Sequence, residues 1–109
     1  MSKPARLSDL SPARQALVRL CQDVNFGHIL DFRAANAEPT WNPGPTILSE
    51  VRPDIEEIPR PEGALADFRL SSELQRLMSQ LDRLQDGSIE KIEVRAGVPR
   101  RLTLASRSA

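Results

Sequence analysis

Twice along this chain the spacing of apolar residues changes from three or four residues to two, and each change comes at a glycine. Before Gly27, apolar side chains recur at helical spacing over residues 12–24, and after it they alternate with polar ones. The same change occurs at Gly87, after a helical pattern that begins near Ser72. A helical period followed by a strand period predicts a helix and then a β-hairpin in each half of the chain.

The two predicted helices carry recognisable boundary residues. Ser11 can cap the first helix, and Ser72 with Gln75 suits a capping box at the start of the second. Gly27 can take the left-handed conformation that a helix C-terminus favours, and Gly87 supplies the second stop. We therefore expect the first helix over residues 12–24, ended by Asn25-Phe26-Gly27, and the second to stop at Asp86-Gly87.

The hairpin of the second half has the clearer pattern. Ile92 and Val94 alternate with charged residues, Ala96-Gly97 forms a turn, and Leu102 and Leu104 resume the alternation. Such alternation predicts two antiparallel strands with one face on the core and the other in water.

The hairpin of the first half is interrupted by prolines. Leu30 and Phe32 alternate with charged residues and are expected on one face, followed by a turn through residues 34–37. Pairing can resume near residues 40–41, but the prolines that follow stop it because they donate no ladder hydrogen bond. A further short strand is expected over residues 47–51.

The two halves resemble each other at an offset of sixty residues. The identities in the aligned stretch include Ser11 with Ser71, Leu17 with Leu77, Gly27 with Gly87, Ile29 with Ile89, and Pro39 with Pro99. Duplication explains them, and so does convergence, since short amphipathic helices are alike.

The expected architecture is a single α+β domain, α-β-β-(Pro-rich arm)-α-β-β, with two helices packed on one face of a small antiparallel sheet. The expected organisation is a disordered or basic tail over 1–10, one domain over 11–104 made of half-repeats 11–41 and 71–104 joined by an acidic arm over 42–68, and a flexible tail over 105–109.

The arm is the least ordinary segment of the sequence. Six of the nine prolines fall between residues 38 and 62, which predicts an extended chain without a helix. One interpretation is a strap that docks on a partner. The other is a connection that wraps the domain, pinned by Ile55, Ile58, Leu65 and Phe68.

The chain lacks the residues that most catalytic sites require. It has one histidine, His28, and one cysteine, Cys21, which lies on the apolar stripe of the first helix. One of each does not make a zinc site, and the five glycines never cluster into a phosphate-binding loop. We expect no enzyme activity, no cofactor, no metal and no small-molecule substrate.

Targeting features are missing too. No stretch resembles a signal peptide or a membrane span, and a single cysteine excludes an intrachain disulfide. We expect a bacterial protein of the cytoplasm that does not bind a membrane.

Trp41, with Pro43 and Pro45 close behind it, is the candidate for a protein interface. A lone tryptophan in a small domain either caps the core beneath the arm or anchors a partner. Both interpretations stay open at this point, and we expect an unknown protein partner or a homodimer formed by sheet-edge pairing.

Zero net charge conceals an uneven distribution. Residues 1–19 have four basic side chains against one acidic, and residues 91–109 have five against one, while the middle is acidic. If the ends converge, they form a basic face. Arg14, Arg19, Arg100 and Arg101 are then candidate phosphate contacts. A small binding or adaptor protein is the first expectation for function, and a nucleic-acid-binding regulator is the alternative.

The segment from Leu77 to Leu104 resembles a family of short bacterial proteins of unknown function built from one amphipathic helix, a glycine stop and a β-hairpin. The matching residues are Gly87-Ser88-Ile89, then Ile92 to Gly97, then Arg101 to Leu104. The resemblance covers about a quarter of the chain. It implies the helix-and-hairpin architecture and supplies no site residues.

Overall fold

The structure, a computed structural model, describes residues 4–56 and 65–104. Across these residues a pair of helices accompanies an antiparallel five-stranded sheet, which confirms the α+β class. After a single 3-10 turn at Leu7–Asp9, the elements are α1 Pro12–Val24, β1 Gly27–Ala35, β2 Glu38–Thr40, β3 Thr46–Ser49, α2 Ser72–Leu84, β4 Gly87–Arg95 and β5 Val98–Leu104. Within the described residues, neither helix has the length and apolar content that a membrane crossing requires.

The long strands β1 and β4 form the centre of the sheet. Their antiparallel register places Gly27 opposite Val94 and Ala34 opposite Gly87. β5 pairs with the far side of β4, while β2 and β3 pair with successive segments of the far side of β1. One edge of the sheet is therefore β5, and the other is shared by β2 and β3.

The two halves are related by an approximate two-fold rotation about the β1–β4 pair. The helices begin at residues 12 and 72 and the central strands at residues 27 and 87. The hairpin turns also exchange equivalent hydrogen bonds, since Ala37 N donates to Gln85 O at 2.7 Å and Gly97 N donates to Asn25 O at 2.9 Å. Each hairpin turn thus contacts the end of the other half's helix. Duplication as the origin of the two halves stays a prediction.

A single hydrophobic core lies between the helices and one face of the sheet. Burial of one large aliphatic or aromatic side chain stabilises a fold by about 1.5–3 kcal/mol. The largest fully buried side chains are Phe32, Leu7, Leu17, Ile29, Leu77, Met78, Leu81, Ile89 and Ile92.

Both helices begin at a capping serine, but the second begins at a serine other than the predicted one. Ser11 Oγ accepts a hydrogen bond from Arg14 N at 3.2 Å, as predicted for α1. In α2 it is Ser71 whose hydroxyl accepts from Leu74 N at 3.2 Å. The predicted capping box of Ser72 is therefore wrong, because Ser72 is already the first helical residue.

The helices end three residues before their glycines, α1 at Val24 as predicted and α2 at Leu84. Asn25 and Gln85, each with a φ of 60°, terminate α1 and α2. Gly27 and Gly87 begin β1 and β4 instead, with φ values of 155° and 149°. The expectation that Gly27 takes a left-handed conformation at the end of α1 is thus wrong, because Gly27 begins β1 and Asn25 is the C-terminal cap.

The alternation along β1 is broken at Asp31, which has a φ of 55°. Ile29 and Phe32 are fully buried, whereas Leu30 is only half-buried. The expectation that Leu30 and Phe32 share a face is therefore wrong, since a positive φ interrupts the two-residue period. The turn that follows is confined to residues 36–37.

The N-terminal segment belongs to the domain where the structure describes it. Leu7 and Leu10 are buried in the core. Leu7 N donates to Phe68 O at 3.0 Å, and Leu70 N donates to Ala5 O at 2.8 Å. The expectation of a tail over the first ten residues is therefore wrong for residues 4–10, which contact the chain that leads into α2.

The proline-rich arm contacts the core through fewer side chains than expected. Phe68 is buried, as predicted for an anchor, but Ile55 and Leu65 are about half exposed. Ile58 and the predicted tail over 105–109 lie outside the described residues. The short strand predicted within the arm is confirmed as β3, although it begins and ends slightly earlier.

Candidate binding surfaces

Apolar side chains are exposed around β3. Ile47 and Leu48 lie in this strand with 37% and 52% of their surface exposed, while Phe26 and Val51 reach 44% and 67%. Glu50 N donates to Phe26 O at 2.8 Å, which holds the chain before β1 beside the chain after β3. We call Phe26, Ile47, Leu48 and Val51 the β3 edge patch.

The outer side of β3 is an unprotected strand edge. β3 pairs with β1 on one side, and no other described strand pairs with it on the other. Its four residues, Thr46–Ser49, are all exposed and include no charged residue and no proline. Proteins usually protect an exposed edge with lysine, proline or a bulge, because unpaired backbone groups invite another chain. Among the residues that the structure describes, only the shortness of β3 protects this edge.

A second surface lies at the opposite edge of the sheet, where α2 and β5 enclose a groove of about 200 Å³. Its floor is apolar and its rim is charged. We call this the α2–β5 groove, and it is lined by Glu73, Arg76, Leu77, Gln80, Pro99, Arg100, Arg101 and Leu102.

Glu73 is the one carboxylate among the groove's lining residues. Its pKa lies below the usual value, first because Ser72 Oγ donates to it at 2.9 Å and further because Arg100 and Arg76 are near. The two guanidinium groups therefore influence Glu73 by charge. Arg76, Arg100 and Arg101 are themselves exposed and form no ion pair with another residue of the described chain.

The predicted interface residues, Trp41, Pro43 and Pro45, do not all lie at the surface. Trp41 is half-buried, and its ring meets Phe32 edge-on with 5.9 Å between centroids. Pro43 is exposed after a cis bond from Asn42, and Pro45 is half-buried. Much of the indole thus packs on the core, and an interface role for the three residues stays a prediction.

Arg14, a predicted phosphate contact, is 13% exposed and bonded within the fold. Its Nη2 donates to Ala37 O at 2.7 Å and to Asp82 Oδ1 at 2.6 Å, and its Nε lies 3.4 Å from Glu38 Oε2. These contacts join α1 to β2 and α2. In this arrangement Arg14 presents little of its charge to a nucleic acid.

The other three predicted phosphate contacts fall in two places. Arg19 lies over the Phe68 ring, 5.3 Å from its centroid, and donates to Leu65 O. Arg100 and Arg101 lie at the α2–β5 groove. No hydrogen bond or ion pair in the described chain joins Arg100 or Arg101 to Arg14 or Arg19. The basic side chain that lines the groove with Arg100 and Arg101 is Arg76.

The residues with catalytic or metal-binding potential lie apart. Cys21 is fully buried, and desolvation raises the pKa of its thiol to about 12. His28 is partly exposed on the sheet, where its Nε2 lies 3.9 Å from Glu93 Oε2. Within residues 4–56 and 65–104, no three His, Cys, Asp or Glu side chains are grouped so that they could hold a metal ion.

The sheet face around His28 forms a wide, shallow depression of about 590 Å³. Acidic, basic and aliphatic side chains alternate over it, so it presents no single chemistry. It is lined by His28, Leu30, Asp31, Leu48, Glu90, Lys91 and Thr103.

Comparison with known proteins yields no relative: no family model, no curated protein and no solved structure matches this chain. The resemblance of the second half to short helix-and-hairpin proteins therefore stays a prediction. The β3 edge patch and the α2–β5 groove are the two surfaces that bear on function.

Arg76 and Leu48 are the surface residues that sequence reasoning missed. In the sequence, Arg76 fits an ordinary solvated helix face. Only the fold brings Arg100 and Arg101 of β5 to the groove that Arg76 lines. Leu48 lies in the strand predicted over residues 47–51, and the sequence pattern does not mark it as an interface residue. A strand of uncharged residues flanked by prolines, with Val51 just beyond, is the signal that could have indicated an open edge.

Proposed function

We propose that this protein is a binding module that acts by protein–protein contact and that associates with a second copy of itself through β3. The observation that carries the proposal is the edge of β3, where no described strand pairs beside exposed Ile47 and Leu48. The proposal includes no catalytic step. Two observations support this part of the proposal. Burial raises the pKa of the Cys21 thiol, and in the described chain neither Cys21 nor His28 belongs to a group of side chains that could hold a metal ion.

Two copies of β3 can pair antiparallel about a two-fold axis. Such a contact uses the same surface on both subunits, so a single exposed edge satisfies itself. Backbone hydrogen bonds would continue the sheet of one protomer into that of its partner. Ile47 and Leu48 point to opposite faces of the strand. In the register with β1, Leu48 pairs with His28 and Ile47 pairs with Ile29. Each face of the joined sheet would therefore gain an apolar contact.

The arm supports the same proposal. Val51 lies two residues beyond the end of β3 and is two-thirds exposed, so it extends the apolar surface beyond the strand. A cytoplasmic setting is proposed with it, because Cys21 is a free, buried thiol and the described helices do not cross a membrane.

The two edges of the sheet provide a matched experiment. Leu48 on β3 and Leu104 on β5 are exposed to similar extents, 52% and 46%. We expect Leu48→Lys to convert the dimer to a monomer, because charge on an edge strand opposes pairing. Leu104→Lys should leave the dimer intact. Sedimentation velocity over a range of protein concentrations measures both.

Three results would overturn the proposal. The wild type could remain a monomer at its highest soluble concentration, the Leu48→Lys variant could dimerise as tightly as the wild type, or the Leu104→Lys variant could dissociate equally. Circular dichroism of each variant confirms that the fold is retained, so that loss of dimer is not loss of structure.

A further inference from the structure

We infer that the α2–β5 groove is a second docking site, and that it takes an extended acidic segment of a partner protein. This inference goes beyond self-association at β3. It concerns the opposite edge of the sheet and is tested independently.

The charge of the rim selects an anionic partner. Arg76 projects from α2, and Arg100 and Arg101 come from β5. Glu73 is the single acidic residue in the lining, and its carboxylate already accepts a hydrogen bond from Ser72. Arg101 lies opposite Glu93 of β4, but Glu93 is shared with Arg95 at 3.4 Å and with His28. The rim therefore retains an excess of guanidinium groups, which suit carboxylates.

The size of the groove selects a peptide over a small metabolite. Pockets for whole small ligands measure about 300–1,000 Å³, whereas this groove measures about 200 Å³. Its floor is formed by Leu77 and Pro99, which are buried, and by half-buried Leu102. A space of this kind receives individual apolar side chains of a chain that continues past it on both sides.

The backbone of β5 leaves the contact to side chains. β5 pairs with β4 on one side, and no described strand covers its other side. Pro99 has no N–H to donate and the register of β5 shifts beside it, so main-chain pairing of a further strand is opposed there. In an extended segment, acidic side chains would thus meet the arginines of the rim, and apolar side chains would face the floor.

Nucleic acid fits these observations less well. The lining contains no aromatic side chain on which a base could stack. Arg14 and Arg19, which would extend a basic face, are bonded within the fold.

Fluorescence anisotropy with a labelled peptide tests the inference. The probe is a seven-residue peptide of alternating glutamate and valine, and its counterpart has lysine in place of glutamate. We expect the acidic peptide alone to bind, more weakly as salt increases. Reversing two rim charges in Arg76→Glu/Arg100→Glu should weaken binding by about tenfold or more, because two attractive pairs become repulsive.

The control variant reverses the same number of charges elsewhere. Arg33→Glu/Arg83→Glu changes one exposed arginine of β1 and one of α2, neither of which lines the groove. It should bind the acidic peptide as the wild type does, and so should the Leu48→Lys variant. Circular dichroism confirms the fold of each protein.

The inference fails if the acidic peptide does not bind, if the lysine peptide binds equally, or if the control variant loses binding to the same extent as the rim variant. A labelled single-stranded oligonucleotide is measured in parallel. If it binds more tightly than the peptide and depends on the same arginines, the groove is a nucleic-acid site and the peptide proposal is overturned.

Discussion

The carbonyl oxygen of Leu48 lies only 2.0 Å from the point where any side chain at position 27 would place its Cβ. Gly27 thus lets β3 approach β1 more closely than any other residue would permit. The equivalent glycine of the second half, Gly87, meets only the side chain of Leu84, at 3.1 Å. Both glycines have a positive φ, so the backbone strain of a substitution is similar at the two positions, and the clash is specific to the first.

We expect Gly27→Ala to displace β3, whereas Gly87→Ala should leave both sheet edges in place. Both variants incur strain of about 1–2 kcal/mol from the positive φ, and Leu84 can move aside for the second. Hydrogen–deuterium exchange of residues 46–49 measures the difference. Equal protection of β3 in the two alanine variants would contradict this account, and under the proposed function Gly27→Ala should also weaken the dimer.

Arg14 is expected to stabilise the fold even though it is charged. Its hydrogen bond to Ala37 O matters most, because Asp82 and Glu38 are largely solvated and their ion pairs are worth little. Arg14→Met should lower the free energy of unfolding by about 1.5–3 kcal/mol, the usual range for a hydrogen bond to a charged group. Urea denaturation measures it. Arg83→Met, at an exposed position of α2, is the control and should cost much less.

The elements that local pattern defines could be predicted from the sequence, and the contacts between distant segments could not. α1 spans Pro12–Val24, as its periodicity predicts, and the turn at Ala96-Gly97 has the positive φ values of 54° and 74° that such a turn requires. The positive φ at Asp31 could not be predicted in this way, because a charged residue between Leu30 and Phe32 also fits an unbroken strand alternation.

The N-terminal segment and the groove show why long-range features escape. Nothing in the sequence near Leu7 indicates that it pairs with Phe68, sixty-one residues away, because a few apolar residues fit both a docked segment and a tail. Arg76 looks like any solvated helix residue until β5 is placed beside it. Only the packing of α2 on the sheet brings Arg76 of α2 into the same groove as Arg100 and Arg101 of β5.

Acid should release the N-terminal segment through Asp67. Arg6 Nε donates to this carboxylate at 2.9 Å, and Ser8 donates to it through its backbone N–H and its hydroxyl. Mainly through the Arg6 hydrogen bond, the pKa of Asp67 falls to about 2. A folded pKa below the unfolded value of about 3.9 means that the stabilisation is complete above that pH and is lost as the pH falls towards 2.

The Asp67→Asn variant isolates this effect. Its unfolding free energy should differ from that of the wild type by a constant amount above about pH 4, and the difference should shrink as the pH falls from 4 to 2. Urea denaturation at several pH values measures it. Asp23→Asn removes an exposed carboxylate that makes no hydrogen bond or ion pair in the described chain, and it is the control. A difference that stays constant down to pH 2 would contradict the assignment.

Cys21 should be unreactive while the protein is folded. Its thiol is fully buried, and a pKa of about 12 leaves almost no thiolate at pH 8. We expect a thiol-specific chromogenic reagent to label it only as fast as the protein unfolds. Cys21→Ala should retain the fold with a modest loss of stability, while Cys21→Ser should lose more, because it buries a hydroxyl. Rapid labelling of the native wild type would show that the thiol is accessible.

Trp41 should stabilise the fold through its ring and not through its N–H. The ring meets Phe32 at 5.9 Å and 73°, an edge-on geometry that contributes about 0.5–1.5 kcal/mol beyond area burial. Nε1 is buried without a hydrogen-bond partner among the described residues, which offsets some of that gain. We therefore expect Trp41→Phe to keep nearly all of the stability in urea denaturation and Trp41→Ala to lose about 2 kcal/mol or more, less than the 3–5 kcal/mol typical of a fully buried ring. Equal losses in the two variants would show instead that the indole N–H is bonded in solution.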